Sequence, residues 1–386
     1  MKLIGKMLTI VSAASMLACA PETEEQEQDF KYLVDEFADL KIMRYRVNGW
    51  DDLSLQQKEY IYHLAEAAKY GRDIIWMQNC RYNLEIRKVL ENILENYKGD
   101  RTCPEYAAFE VYAKRVFFSN GIHHHYAEDK FFPECPETYF QELMTAVGDA
   151  EKCSALLPII YREDLLAQRK STDKSGDIVA ESAVNFYEGV TRAEVEAFYA
   201  KMVDPKDKTP ISYGLNSRVV KGPDGKIYED VYKVGGLYGA ALEKIIAELE
   251  KAAAVAENIT QKEYTANLIK YYQTGDLKLW DDYNVQWVKD TLGTIDFVNG
   301  FVEDYGDPLG RKATWESIVN YKDYVASERT QLISDNAQWF EDNSPVDQRF
   351  KKPVVKGVSA KVINVAVLAG DCYPAAPIGI NLPNAD

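Results

Sequence analysis

One segment of the sequence, residues 301–310, combines acidic side chains with a tyrosine. Glu303 and Asp304 precede Tyr305. Two carboxylates can hold an ammonium group, and a phenol adds a hydrogen-bond donor beside them. An ordinary turn is the alternative, and the residues alone favour neither interpretation. The segment is therefore a candidate site for a cationic ligand.

A second segment, residues 373–386, combines prolines with two asparagines, Asn381 and Asn384. Prolines restrict the backbone, and an extended segment of this kind can pair with a bound peptide by adding a strand to it. The asparagine amides are suited to clamping the peptide backbone. An ordinary edge strand is the alternative, which the residues alone favour.

Consecutive histidines at His123, His124 and His125 are the clearest candidate metal ligands. On a strand the first and third would share a face, whereas neighbours on a helix diverge by about a quarter turn, so at most two could readily meet one ion. We therefore expect a hydrogen-bonded cluster, or one histidine facing a cleft, rather than a metal site. His63 is expected to be a satisfied core or boundary residue. The sequence contains no His-Glu-x-x-His, Gly-x-Ser-x-Gly or phosphate-binding glycine motif.

The composition describes a folded, acidic protein. With 46% hydrophobic residues in 386, the chain can bury a substantial core. Its net charge of -16 repels polyanions, so we exclude nucleic-acid partners. An acidic field favours cationic ligands, although acidity is also a common route to solubility.

The amino terminus has the features of an export signal. Residues 1–18 begin with lysines and continue with an apolar stretch, which predicts a signal peptide. Residues 16–19, Met-Leu-Ala-Cys, resemble a bacterial lipobox, so we expect a lipid on Cys19; cleavage without a lipid is the alternative. Residues 19–29 are expected to form an acidic tether. The protein is thus predicted to be an exported, membrane-anchored lipoprotein of the cell envelope, which contacts the membrane only through this anchor.

The elements that must position these residues are mostly helical. Apolar spacing predicts helices, and β-branched and aromatic runs predict strands. No alternation of strand and helix is visible, so the fold class is α+β, a mostly helical lobe with a small antiparallel sheet or barrel. The predicted helices cover 55–97, 105–118, 137–146, 192–201, 242–256, 263–273 and 314–340; a hairpin covers 211–234, and a strand lies within 354–368.

Both candidate segments resemble the substrate-binding motifs of a known enzyme family. Glu303-x-Tyr305-x-Asp307-Pro308 and Gly379-Ile380-Asn381-Leu382-Pro383-Asn384 are similar to motifs of the dipeptidyl peptidase III family, which are zinc aminopeptidases. Residues 71–76, 118–126 and 214–218 resemble bacterial members in the same order along the chain. The resemblance implies that Glu303 and Tyr305 bind the substrate amino terminus, and that Gly379, Ile380, Asn381 and Asn384 hold the peptide backbone.

The zinc motif of that family is not found in this sequence. In the family, a His-Glu-x-x-x-His helix and a later acidic ligand follow the Asn-Leu-Pro-Asn segment. We therefore predict that residues 30–386 form the amino-terminal substrate-binding lobe, incomplete at its carboxyl end, which binds short peptides and no metal and is inactive without its catalytic lobe as partner. The alternatives are a non-catalytic peptide-binding lipoprotein and a structural fragment that binds nothing well.

Overall fold

The computed structural model describes residues 30–357 and 360–380. The predicted signal peptide and tether, including Cys19, lie outside the described residues, as do Asn381 and Asn384. The chain divides into two units, residues 1–46 and 47–386, and each is described by itself.

In the first unit, the described residues form a hairpin of β1 (Leu33–Phe37) and β2 (Leu40–Met43). The second unit holds the other elements. Its helices are α1 (Leu55–Tyr70), α2 (Arg72–Asn79), α3 (Asn83–Asn96), α4 (Pro104–Phe118), α5 (Glu137–Ala146), α6 (Cys153–Tyr161), α7 (Ile178–Glu181), α8 (Arg192–Ala200), α9 (Gly239–Ala254), α10 (Ile259–Thr274), α11 (Leu277–Trp287), α12 (Tyr324–Asp335) and α13 (Ala337–Asn343). Its strands are β3 (Tyr187–Glu188), β4 (Ser217–Lys221), β5 (Ile227–Val231), β6 (Ile295–Glu303), β7 (Thr314–Lys322) and β8 (Ile363–Gly370).

Three apolar cores organise the second unit. The largest packs α1, α9, α10 and α11 against the sheet of β6, β7 and β8. The second lies among α2, α3, α4, α5 and α6, which we call the helical subdomain. The third covers the small sheet of β3, β4 and β5, and includes residues of α8. The α+β class is confirmed, with small sheets and no barrel among the described strands.

The sheet of the largest core has β7 at its centre, with β6 and β8 antiparallel on either side. All residues of β7 except Lys322 are buried. The two neighbouring strands bring their ends together, because β6 finishes at Glu303 opposite Thr314 and β8 finishes at Gly370 opposite Glu316. This end of the sheet carries the candidate site.

Several elements were predicted correctly from local sequence signals. Thr191 caps α8 by accepting a hydrogen bond from the Glu194 backbone N–H. The Glu194 carboxylate accepts one from the Thr191 backbone N–H, which completes a capping box. The predicted hairpin is β4 and β5, and its turn contains Gly225 with φ +77°, a left-handed backbone that glycine adopts without a steric penalty. The predicted carboxy-terminal strand is β8.

The predicted helix over 314–340 is wrong in its first part. Residues 314–322 form the buried strand β7, and only the part from Tyr324 onwards is helical. Trp315, Ile318 and Val319 are spaced as on a helix, but all are buried in a strand that is covered on both faces. Among the described residues, none of the helices is long and apolar enough to cross a membrane.

Candidate functional site

A cavity of about 390 Å³ lies where the end of the sheet meets the helical subdomain. Four of the predicted binding residues line it, namely Glu303, Tyr305, Gly379 and Ile380. The structure therefore brings together two segments that are more than seventy residues apart in sequence. The cavity is also lined by Asn79, Ser119, Asn120, His125, Tyr126, Glu128, Arg169, Glu316, Ile318, Asp371, Cys372, Tyr373, Pro374, Ala375, Ala376 and Pro377.

The loop that follows β6 is held by a buried aspartate. Asp307 Oδ2 accepts hydrogen bonds from the backbone N–H of Arg311 at 2.8 Å and of Lys312 at 2.9 Å, and from the Tyr187 hydroxyl at 2.8 Å. These three bonds fix the turn between β6 and β7. Since Tyr305 lies on this turn, Asp307 sets the position from which Tyr305 enters the cavity.

Tyr305 and Asp371 connect the two motif-bearing segments. The Tyr305 hydroxyl donates a short hydrogen bond to Asp371 Oδ2, and Lys170 donates to the Tyr305 backbone carbonyl. Partial burial raises the pKa of the Tyr305 phenol, and the adjacent Asp371 carboxylate raises it further. The phenol therefore remains protonated, and its oxygen lone pairs are available to a ligand donor.

Glu316 is the most deeply buried acid of the cavity, with 6% exposure. The Cys372 thiol donates to its Oε2 at 3.1 Å. Burial raises the pKa of the Glu316 carboxyl to about 8; the thiol bond opposes this shift, and the negative charges of Asp371 and Glu303 add to it. At neutral pH, Glu316 is therefore mostly protonated, whereas Glu303 and Asp371 leave this side of the cavity negative.

The opposite side of the cavity belongs to the helical subdomain and the segments next to it. Arg169, 7% exposed, donates from Nε at 2.9 Å and Nη2 at 3.0 Å to both carboxylate oxygens of Glu128. Its guanidinium also donates to the His125 carbonyl at 3.2 Å and, at 3.5 Å, to Asn79 Oδ1. The positive charge on this side is thus matched by a carboxylate of the same side.

The three consecutive histidines face different partners. His123 donates from Nε2 to the Leu166 carbonyl at 2.8 Å, and His124 Nδ1 accepts from the backbone N–H groups of Tyr126 and Ala127. His125 lines the cavity with its Nδ1 3.3 Å from the Ser119 hydroxyl. Burial, then the neighbouring His124 and Arg169, lower the pKa of His125 to about 4, so this ring is neutral at pH 7. Each of the three histidines thus has its own hydrogen-bonding partner, and His125 faces the cavity, as the second of the two expectations has it.

The zinc of the resembling family finds no ligand set in the described part of the chain. There, no three His, Cys, Asp or Glu side chains converge in a way that could hold a metal ion. His63, the remaining histidine, donates from Nδ1 to Glu248 Oε2 at 2.9 Å, as a satisfied boundary residue should.

Sequence reasoning missed Glu316, Asp371 and Arg169. Glu316 lies within the predicted helix 314–340. If residues 314–322 are recognised instead as a strand paired with β6, Glu316 lies two residues after Thr314 and on the same face of the sheet. Asp371 follows the end of β8 and could have been found from the same pairing. No sequence signal singles out Arg169 among the other arginines.

Comparison with known proteins supports the family resemblance seen in the sequence. Residues 217–386 match the model of peptidase family M49. The chain is 24% identical over 374 residues to dipeptidyl peptidase 3 of Homo sapiens, a match that covers 86% of this chain and 50% of the human protein. The chain thus spans about half the length of the curated relatives that it matches.

Solved structures show the same fold. Dipeptidyl peptidase III from Caldithrix abyssi aligns with a TM-score of 0.62 at 19% identity, over 87% of this chain and 53% of that one. The enzyme from Corallococcus sp. strain EGB aligns with a TM-score of 0.57 at 21% identity, over 88% of this chain and 52% of that one. The predicted resemblance is confirmed: residues 217–386 match peptidase family M49, and the chain is similar to dipeptidyl peptidase III in sequence and in fold.

Proposed function

We propose that this chain supplies the peptide-binding wall of a zinc-dependent dipeptidyl peptidase, which releases dipeptides from the amino ends of short peptides. The observation that carries the proposal is the convergence of Glu303, Tyr305, Gly379 and Ile380 on one cavity. Two segments that resemble substrate-binding motifs meet there, although nothing in their sequence spacing requires it.

The chemistry of the cavity favours the amino end of a peptide. Glu303 and Asp371 supply negative charge, and Tyr305 supplies an oxygen that can accept a hydrogen bond while its proton bonds to Asp371. An ammonium group has three donors, and bonds between an ammonium and a carboxylate are among the stronger ones in proteins. The peptide backbone would then lie beside Gly379 and Ile380. The family resemblance implies that the amides of Asn381 and Asn384, which lie outside the described residues, hold it in extended form.

Hydrolysis needs the zinc ligands as well. When bound, zinc polarises the scissile carbonyl and activates a water molecule. In the resembling family the zinc ligands follow the segment that residues 381–384 resemble, so we propose that this chain contributes the binding of peptide. The purified 386-residue chain is accordingly expected to release no dipeptides in a chelator-sensitive manner, and such release would refute the assignment.

Calorimetry tests peptide binding directly. Tetra-alanine with a free amino terminus is titrated into the purified chain, and N-acetyl-tetra-alanine serves as the matched ligand that lacks the ammonium. We expect heat of binding from the free peptide and a large loss of affinity for the acetylated one. Equal binding of both peptides, or binding of neither, would contradict the proposal.

Anchoring through Cys19 is proposed on the sequence signal alone. The lipobox-like residues 16–19 support a thioether-linked lipid, which would hold the protein at a membrane of the cell envelope. Mass spectrometry of the protein purified from a bacterial membrane should find a lipid-modified amino-terminal peptide that begins at Cys19. Cys19→Ser should move the protein to the soluble fraction.

A further inference from the structure

The hydrogen bonds that attach residues 371–380 to the sheet lie at the beginning of this segment, which also carries Gly379 and Ile380. β8 ends at Gly370, whose φ of +66° and close approach to the Trp315 carbonyl leave no room for a side chain. The backbone N–H of Asp371 donates to the Trp315 carbonyl at 3.1 Å. Among the described residues, no hydrogen bond joins residues 374–380 to the rest of the chain, and Ile380 packs against the largest core. The backbone of the segment is therefore fixed by hydrogen bonds only at residues 371–373.

Asn120 provides a second attachment, from the helical subdomain. Its side-chain Nδ2 donates to the Tyr373 carbonyl at 2.7 Å and approaches the Gly370 carbonyl at 3.4 Å. Asn120 follows α4 with φ +53°, a left-handed conformation that asparagine tolerates better than most residues. With this backbone conformation, the side-chain amide of Asn120 reaches the end of β8.

The residues behind Asn120 are themselves fixed. Asn79, at the end of α2, donates from Nδ2 to the Asn120 carbonyl at 3.2 Å. Arg169 in turn donates to Asn79 Oδ1, and its guanidinium is paired with both oxygens of Glu128. Asn79 and Asn120 are 4% and 6% exposed. A chain of buried polar contacts therefore runs from the Glu128 carboxylate to the Tyr373 carbonyl.

We propose that Asn120 is a positioning residue, which fastens residues 371–373 to the helical subdomain and so places Gly379 and Ile380 along the cavity before a peptide arrives. The inference rests on the proposed function for its effect on peptides, but the attachment itself is a property of the chain alone. A segment ordered in advance binds with a smaller loss of conformational entropy. Removing the amide therefore weakens peptide binding even though the acids that hold the ammonium remain.

Cys372 allows the attachment to be measured without a peptide. This thiol is 3% exposed. It lies between Asp371, which bonds to the sheet, and Tyr373, which bonds to Asn120. Its labelling by a thiol reagent, mapped by mass spectrometry, reports local opening of the segment. Cys153, a buried cysteine of α6 with 7% exposure, reports opening elsewhere in the same protein.

The test compares Asn120→Gly with Asn92→Ala. Asn120→Gly keeps the left-handed backbone but loses the donor, whereas Asn92→Ala removes an amide that donates to the Val147 carbonyl and to Asp149 Oδ2 and does not line the cavity. We expect Asn120→Gly to speed labelling of Cys372 by about tenfold, the equilibrium effect of losing one buried hydrogen bond, with Cys153 unchanged. Asn92→Ala should leave labelling of Cys372 as in the wild type. Asn120→Asp, which also lacks the donor, is the second variant if the first does not fold.

The outcomes separate this inference from the proposed function. If Cys372 and Cys153 become reactive together, if neither does, or if neither Asn120 variant folds, Asn120 has only a general structural role and the inference is overturned. Calorimetry with tetra-alanine adds the second readout, in which Asn120→Gly should bind several-fold more weakly than Asn92→Ala. If the wild type binds no peptide, the proposed function fails, and the labelling of Cys372 still decides whether Asn120 holds the segment.

Discussion

The two sides of the cavity differ in how their charges are balanced. On the helical side, the Arg169 guanidinium is paired with both oxygens of Glu128, and His125 is neutral because burial lowers its pKa to about 4. On the sheet side, Glu303, Glu316 and Asp371 come together around one phenol. The helical side thus pairs a cation with a carboxylate, whereas the sheet side brings three acids together.

This difference indicates a division of labour. A buried ion pair whose donors are already used has little capacity left for a ligand, so the helical side is suited to holding its neighbours in place. Crowded carboxylates are unfavourable in the absence of a cation, and an incoming ammonium relieves their repulsion. We therefore expect substitution of the Arg169–Glu128 pair to affect mainly stability and substitution of the sheet-side acids to affect binding. Asn120 is the exception on the helical side, because it acts on binding through the segment that it positions.

The largest expected effect concerns the pH dependence of stability through Glu316. Its pKa is about 8 in the folded chain and close to 4.5 when exposed. Between these values the folded chain keeps a proton that the unfolded chain releases. The stabilisation is therefore complete below about pH 4.5 and is lost as pH rises towards 8, at about 1.4 kcal/mol per pH unit.

Urea unfolding at several pH values between 5 and 8 checks this expectation. Glu316→Gln cannot titrate, so the free energy of unfolding of this variant should fall less steeply with pH than that of the wild type. The other titrating groups are common to both proteins, so the difference between the two slopes isolates Glu316. Equal slopes would show that the carboxyl is not protonated in the folded chain.

The next effect belongs to the helical side. Glu128→Gln leaves the Arg169 guanidinium buried without its carboxylate, and breaking a buried pair in this way costs about 3 kcal/mol of unfolding free energy. Affinity for tetra-alanine should change little under conditions where the variant is folded. Glu196→Gln, which removes an exposed pair with Arg192, is the control and should cost less than about 1 kcal/mol. A large loss of peptide affinity in the folded Glu128→Gln variant would remove the distinction between the two sides.

On the sheet side, Glu303→Gln should reverse this pattern. A hydrogen bond to a charged group contributes about 1.5–3 kcal/mol, so the affinity for a free amino terminus should fall by about tenfold or more. The thermal unfolding midpoint should move little, because Glu303 lies at a partly exposed edge of β6. Calorimetry with tetra-alanine and its N-acetyl form measures the effect, and an equal loss for both peptides would show that Glu303 does not bind the ammonium.

The comparison also shows which parts of the site were open to prediction. Glu303 and Tyr305 were identified because acids and a tyrosine lie within one short segment, whereas Gly379 and Ile380 were identified only through the family resemblance. The strand predicted for residues 373–386 is not formed in its described part, residues 373–380, which lack strand pairing. Pro374 and Pro377 lie in this part, and most of its residues line the cavity instead of pairing with a strand.

The missed residues have a common physical origin. β7 is buried on both faces, so its apolar residues carry no alternation, and Trp315, Ile318 and Val319 fit a helical spacing equally well. Because that strand was predicted as helix, Glu316 could not be placed beside Glu303. Arg169 and Asn120 act through contacts between distant segments, which depend on tertiary packing and have no local pattern.

The smallest expected effect distinguishes the phenol from the carboxylates. Tyr305→Phe removes the hydroxyl that donates to Asp371 and retains the ring, so the charge of the sheet side is unchanged. Only the ammonium is charged in its bond to the phenol, whereas both groups are charged in its bond to Glu303. The affinity for tetra-alanine should therefore fall less than in Glu303→Gln, by about tenfold at most. Tyr126→Phe, at an exposed tyrosine on the other side of the cavity, is the matched control. If Tyr305→Phe weakened binding more than Glu303→Gln, the phenol rather than the negative charge would be the main ligand of the peptide amino group, and the division between the two sides would have to be based on hydrogen bonding instead of charge.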